Sequence, residues 1–504
     1  MPANRSAGSP TWSAGCATPR RGRSGPRPAA LRATLRAYQQ RALSWLAHTT
    51  AMGFGALLAD DMGLGKTVTT IALHLHRREI GHRGPALVVC PASLVANWHR
   101  EFSGFAPATP VLRYHGQDRS LTGLTDDTVV ITTYGTLRRD VTLLADQPWD
   151  LLVADEAQHI KNHASATATM LRQVGGAARL AVTGTPVENN LTELWSILDW
   201  TNPQLFGSRT AFRARYGEIE KNPASDAARQ LTRLIGPFMM RRRKSDPGSP
   251  PSCPPRSTTR AVTLTPEQAG LYEAMVRDTM DRIEHTTGIA RRGLVLKLLT
   301  ALRQICNTPA QFLKEQHAGT SADHATRRSG KLRALEELLV TLSTRAEAAL
   351  IFTSYVSMGR LLEAQLRARG YSPYFLHGQT PPARRQEMVD AFQSDPAPAP
   401  VFILSVRAAG TGLNLTRAEH VVHYDRPWNP AVEEQASDRA HRIGQRRTVH
   451  VHQLITEGTV EDHISALLKR KRTLGEAVLL SGENALGDLD DTELAALVRL
   501  GGSR

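Results

Sequence analysis

Met62-Gly63-Leu64-Gly65-Lys66-Thr67 follows the apolar run Gly55-Ala56-Leu57-Leu58-Ala59 and opens a segment in which Val68, Ile71, Ala72 and Leu75 recur at helical spacing. Strand, glycine loop and helix therefore stand in the order that makes a phosphate cradle. Glycines let backbone N–H groups approach phosphate oxygens, and the helix N-terminus adds partial positive charge there. In that reading Met62, Gly63, Leu64 and Gly65 form the cradle, Lys66 reaches the β/γ-phosphates and the Thr67 hydroxyl ligates Mg²⁺. One position departs from the P-loop pattern: Asp60 stands where a glycine is usual.

Outward from this loop, short apolar runs alternate with helical stretches. Ala86-Leu87-Val88-Val89-Cys90, Thr128-Val129-Val130-Ile131-Thr132 and Leu151-Leu152-Val153-Ala154 come before residue 240. A second series holds Ala349-Leu350-Ile351-Phe352-Thr353, Val401-Phe402-Ile403-Leu404-Ser405, His420-Val421-Val422-His423-Tyr424 and Val449-His450-Val451. Continuous apolar strands separated by helices imply parallel sheets covered on both faces. The expected fold class is α/β, with two parallel-sheet lobes joined by a hinge and a helical insertion. The expected segments are a disordered basic N-terminus over 1–30, a first lobe over 31–240 and a Pro-rich hinge over 241–263. A helical insertion over 264–328, a second lobe over 329–458 and a C-terminal brace helix and tail over 459–504 follow.

Asp155-Glu156-Ala157-Gln158 ends one of the apolar runs. A carboxylate there can hold Mg²⁺, and the next can orient or deprotonate an attacking water, so Asp155 is assigned to the metal and Glu156 to the water. Thr183-Gly184-Thr185-Pro186 follows Leu180-Ala181-Val182, and its hydroxyls at Thr183 and Thr185 suit a relay from the phosphate site. Gln39, in Leu35-Arg36-Ala37-Tyr38-Gln39, carries an amide matched to the donor–acceptor edge of adenine. In the second series, Arg439 and Arg442 are three residues apart, on one face if the segment is helical, and guanidinium groups suit bidentate phosphate contact. Gly410 and Gly412, in Ala408-Ala409-Gly410-Thr411-Gly412-Leu413, offer another backbone cradle for a phosphate. Lys469-Arg470-Lys471-Arg472 reads equally as a phosphate contact or a solvated helix face.

The composition points to a class of partner independently of these motifs. Sixty-two Lys+Arg against 47 Asp+Glu give a net charge of +15, which favours polyanions, although a generally Arg-rich proteome would raise the charge as well. Four scattered cysteines, Cys16, Cys90, Cys253 and Cys306, support neither a zinc site nor a disulfide framework. No apolar run approaches the ~20 residues of a membrane helix, and the basic N-terminal stretch lacks the apolar region of a signal peptide. A soluble chain in a reducing cytoplasm is the expectation.

As an ordered set these segments resemble the Swi/Snf-type ATPases of helicase superfamily two, closest to compact bacterial members, over nearly everything from Leu31 onward. The segments that carry the resemblance include Val89-Cys90-Pro91-Ala92-Ser93-Leu94, Thr132-Thr133-Tyr134, Gln158-His159-Ile160-Lys161-Asn162 and Asp425-Arg426-Pro427-Trp428-Asn429-Pro430. That family carries an acidic residue where Asp60 stands, and usually a glycine where Ala409 stands. The resemblance implies two RecA-like lobes, ATP and Mg²⁺ between them, and double-stranded DNA as the track for ATP-driven translocation. By motif match, Gln39 would contact adenine, Arg439 and Arg442 would be the γ-phosphate arginines, and Gly410, Gly412 and Trp428 would lie near the nucleotide and DNA path. A nucleoid-associated monomer that meets RNA polymerase or other DNA-bound proteins is the implied setting. The competing readings are a strand-separating DNA or RNA helicase and an inactive DNA-binding scaffold.

Overall fold

A computed structural model describes residues 27–184, 186, 191–220, 225–244, 246, 255–315, 321–397, 399–409, 413–442, 445, 447–466 and 491–501. Thr185, Gly410, Gly412, most of the expected N-terminal segment, the Pro-rich stretch 247–254 and Lys469–Arg472 lie outside them. The chain divides into two compact units at Pro251 and Ser252.

The first unit is built on seven strands: β1 (Ala56–Leu58), β2 (Ala86–Cys90), β3 (Val111–Tyr114), β4 (Val129–Thr133), β5 (Leu151–Asp155), β6 (Ala178–Val182) and β7 (Met239–Met240). They form one parallel sheet in the order β3-β4-β2-β5-β6-β1-β7. Strand periodicity explains its cover. Leu57, Leu87, Val89, Leu152 and Ala154 point into one apolar core, while Leu58, Val88, Val153 and Leu180 point into the other. Burial on both faces is why these strands read as unbroken apolar runs. Ligands of such sheets bind beyond the carboxyl ends of the strands. The ends of β5, β6 and β1, which are neighbours, carry Asp155, Thr183 and Asp60.

The second unit repeats the principle with β8 (Arg256–Val262), β9 (Ala349–Thr353), β10 (Tyr374–Leu376), β11 (Val401–Ser405), β12 (His420–His423) and β13 (His450–Thr456). Its parallel order is β10-β11-β9-β12-β13-β8. β8 corrects the expectation of a hinge through residue 263. Arg256-Ser257-Thr258-Thr259-Arg260-Ala261-Val262 pairs along its whole length with β13. It is an edge strand with mostly exposed side chains, so it shows none of the apolar signal of a central strand.

Helices Pro266–Glu284 and Gly288–Asn307 account for the expected insertion. The first starts on a capping box, in which the Thr265 hydroxyl accepts from Gln268 N and Gln268 Oε1 from Thr265 N. Both helices belong to the second unit and share an apolar core with Trp428, Val460, Ile464 and helix Asp491–Val498. Among the described residues, no helix is long and apolar enough to cross a membrane. Cys90 and Cys306 are free and buried.

Candidate nucleotide site

The glycine loop leaves β1 and enters helix Lys66–Glu79. Gly63 and Gly65 take φ of 82° and 79°, a left-handed backbone that side chains disfavour. Gly65 is also crowded, since a Cβ there would stand 2.3 Å from Gln39 Nε2. Gln39 is buried and makes two side-chain hydrogen bonds. Its Nε2 donates to Leu64 O at 3.1 Å and its Oε1 accepts from Arg36 N at 2.9 Å, closing the cap of helix Ala37–Ala51. The Tyr38 hydroxyl donates to the same Leu64 carbonyl at 3.1 Å.

Lys66 Nζ donates to the carbonyls of Asp60 at 2.6 Å and Asp61 at 3.2 Å. Burial pulls its ammonium below the ordinary value, opposed by Glu156, Asp60, Asp155 and Asp61. Thr67 follows in the first turn, half-buried. Met62 lies against Gly184, where an added Cβ would meet Met62 Cγ at 2.9 Å. Gly184 thus lets the chain after β6 approach the phosphate loop closely.

Asp155 is held from three sides. Trp98 Nε1 donates to its Oδ2 at 2.8 Å, Glu156 N to its Oδ1 at 2.9 Å, and the Tyr134 hydroxyl to its carbonyl at 2.7 Å. Burial first, and the adjacent Glu156 carboxylate second, push its pKa up to about 7. Glu156 sits at φ 50° and ψ 55°, left-handed for a residue with a side chain. From Glu156 a chain of contacts crosses to the next strand end. Gln158 Nε2 donates to Glu156 Oε2 at 2.7 Å, and the Thr183 hydroxyl donates to Gln158 Oε1 at 2.9 Å. Thr183 N in turn donates to Leu58 O at 3.1 Å, at the end of β1. Loop, carboxylate pair and threonine therefore form one connected layer at the carboxyl edge of the sheet.

These groups test well against a magnesium nucleotide. Two adjacent buried carboxylates, one with its pKa raised by burial and by the other, suit a divalent cation. A lysine resting on loop carbonyls beside a glycine cradle can turn to an anion. The structure brings Lys66, Asp155 and Glu156, named from the sequence, together with Trp98 and Tyr134, which sequence reasoning did not name as site residues and whose signal was only an indole and a phenol near other motifs.

The residues placed by sequence in the second series part company. Arg439 is fully buried and Arg442 half-buried. The condition for their sharing a helix face is not met, because helix Pro430–Ser437 ends first. Arg439 N bonds Ala436 O and Ala440 N bonds Ser437 O, while His441 N reaches back to Ser437 O and Arg442 N to Ala440 O, so a mixture of turns replaces the regular α ladder. Trp428 is buried rather than displayed, with the Arg303 guanidinium 4.4 Å from its ring centroid. Arg303 also donates to Arg426 O at 2.7 Å.

A glycine loop ending in lysine at a helix N-terminus, beside paired carboxylates on a parallel sheet, defines a P-loop nucleotide-binding protein. The chain belongs to the SNF2-related domain family, which matches residues 38–311, and residues 330–444 match the helicase conserved C-terminal domain. It is 42% identical over 476 residues to a putative ATP-dependent helicase/translocase, YwqA, of Bacillus subtilis, covering 93% of this chain and 51% of that protein. It is 33% identical to the ISWI chromatin-remodeling complex ATPase CHR17 of Arabidopsis thaliana, covering 94% of this chain and 45% of that one. The chain thus spans about half the length of the curated relatives it matches. Among solved structures, the Sulfolobus solfataricus SWI2/SNF2 ATPase core in complex with dsDNA is 36% identical, covering 94% of this chain and 99% of that one, with a TM-score of 0.46.

Proposed function

We propose that this chain is a DNA-dependent ATPase that moves along double-stranded DNA or remodels protein–DNA complexes. The observation that carries the reading is the juxtaposition of Lys66, after β1, with Asp155 and Glu156, at the end of β5 with β6 between, in a chain of the SNF2-related family. The net charge of +15 supports a polyanionic track.

In this reading the loop amides of residues 62–65 and Lys66 bind the phosphates of ATP. Thr67 and Asp155 would hold Mg²⁺, which when bound neutralises charge developing on the phosphoryl oxygens. Glu156, fixed through Gln158, orients the attacking water and takes its proton. Gln39 keeps one amide hydrogen and acceptor capacity beyond its two bonds, enough to meet an adenine edge. Arg442 supplies positive charge to the γ-phosphate, and the buried Arg439 supports the turn that carries it. Gly410, Gly412 and Thr185 remain part of the proposed nucleotide and coupling path. Trp428 serves that path from within, by bracing the segment around Arg426 against Arg303. A cytoplasmic, nucleoid-associated monomer that encounters RNA polymerase or other DNA-bound proteins completes the proposal.

The test is ATP turnover of the purified chain with duplex DNA, single-stranded DNA and RNA of equal length at one fixed salt concentration. Duplex DNA is expected to stimulate most. Greater stimulation by a single strand would favour a strand-separating helicase, and no turnover at all would leave a DNA-binding scaffold.

A further inference from the structure

The acidic residue at position 60 has its explanation in a segment 182 residues away. Asp60 is 1% exposed, and its backbone is outside the left-handed region, so the position makes no demand for glycine. Its Oδ1 accepts from both Arg242 N and Arg242 Nε at 3.0 Å, and its Oδ2 accepts from Arg242 Nη2. The pair is a two-oxygen fork, the strong form of an Arg–carboxylate contact.

The fork extends a backbone zipper. Leu57 N donates to Phe238 O at 2.8 Å, Ala59 N to Met240 O at 2.7 Å and Asp61 N to Arg242 O at 2.9 Å. Asp61 Oδ2 then accepts from Lys244 N at 2.8 Å. β1 and β7 therefore stay paired beyond the sheet, as far as the phosphate loop itself. The Arg242 guanidinium also donates to Tyr38 O and lies 5.2 Å from the Tyr38 ring centroid. It thereby touches the helix that carries Gln39.

Lys66 meets the other side of the same two residues, through the carbonyls of Asp60 and Asp61. Its ammonium can turn from them towards a phosphate. The loop residues released by that movement are the ones that hold Arg242 and Lys244, which follow β7 in the first unit.

We infer that Arg242 is a positioning residue for turnover, which through Asp60 ties segment 240–244 to the phosphate loop so that nucleotide binding is transmitted to that segment. The inference rests on the ATPase reading, and it concerns coupling rather than contact with substrate.

Two readouts test it. In the first, amide hydrogen exchange is followed at 240–244 with and without a non-hydrolysable ATP analogue. The Arg242 and Lys244 amides, both bonded to loop carboxylates, change protection on binding in the wild type, and the change disappears in Arg242→Gln. Unchanged exchange in the wild type with analogue bound overturns the inference, whether or not the protein hydrolyses ATP.

In the second, kcat and KM for ATP are measured with saturating duplex DNA, well below each variant's melting temperature. Arg242→Gln is expected to lower stimulated kcat by about tenfold or more with KM within about twofold. Arg242→Lys, which keeps the charge and the backbone bond without the fork, gives an intermediate kcat at near wild-type melting temperature. Asp60→Asn combined with Arg242→Gln is no worse than the worse single change, because both cut one link. Wild-type kcat in folded Arg242→Lys, or losses in the double variant that simply add, would overturn the coupling role. A wild type that DNA does not stimulate counts against the ATPase proposal instead, and the exchange readout still decides this one.

Discussion

At Glu156 the backbone adopts φ 50° and ψ 55°, a conformation that costs about 1–2 kcal/mol for a residue with a side chain. The cost is tolerated where Gln158 holds the carboxylate and Asp155 holds the amide. Glu156→Gln and Lys66→Ala should each lower ATP turnover by roughly 100-fold or more while leaving the melting temperature close to wild type. Normal turnover in either removes the site assignment. Trp98 gives a finer test. Trp98→Phe keeps the packing but deletes the donor that holds Asp155 in its charged form, so the Asp155 pKa rises above its value of about 7. Protons then compete better with Mg²⁺. The Mg²⁺ needed for half-maximal turnover should increase about several-fold at pH 7, and the gap should close near pH 8.5. A gap that is the same at both pH values would argue against Asp155 as a ligand. Lys66, Asp155 and Glu156 were legible because their chemistry is local in sequence. Trp98 and Arg242 were not, since their partners lie 57 and 182 residues away and only folding brings them together.

Helices and central strands were legible wherever burial dictated composition. Ala349–Thr353 and Val401–Ser405 are strands at the bounds read from their apolar runs, because both faces are covered. β8 escaped notice for the opposite reason, as an edge strand needs hydrogen bonds on one side only and can carry Arg, Ser and Thr. The arginine segment escaped because the switch from helix to turn after Ser437 lies in backbone bonding, with no Gly or Pro to announce it before residue 443. β12 and β13 make a pH prediction. His420 Nδ1 meets His452 Nε2 at 2.9 Å, His420 Nε2 meets Glu347 at 2.9 Å, and the His450 ring stacks on His420 at 5.1 Å. Burial, then the His420, Arg260 and His450 charges, lower the His452 pKa to about 4. An imidazole that protonates more readily in the unfolded chain contributes stability in full above pH 6.5. That contribution shrinks as pH falls from about 6.5 towards 4. Between pH 7.5 and pH 5 this one group should remove about 1–2 kcal/mol after allowance for its partial exposure. His452→Gln should lose less stability over that interval in denaturant titrations. An equal or greater loss would contradict the account.

For the whole molecule, two parallel-sheet units were foreseeable from two series of apolar runs, and family membership agrees with both. How far the insertion belongs to one unit was not foreseeable. Its helices join the second unit by burying Tyr272, Leu298 and Leu302 beside Trp428, a core assembled from residues more than a hundred positions apart. The central claim is that ATP turnover in this chain drives motion along intact duplex DNA. The most direct measurement places a third strand as a triplex on a linear duplex and follows its release after ATP is added. The account predicts ATP-dependent displacement of the third strand while the two duplex strands stay paired, and none with Glu156→Gln. ATP consumption without displacement, or separation of the duplex strands themselves, would contradict it.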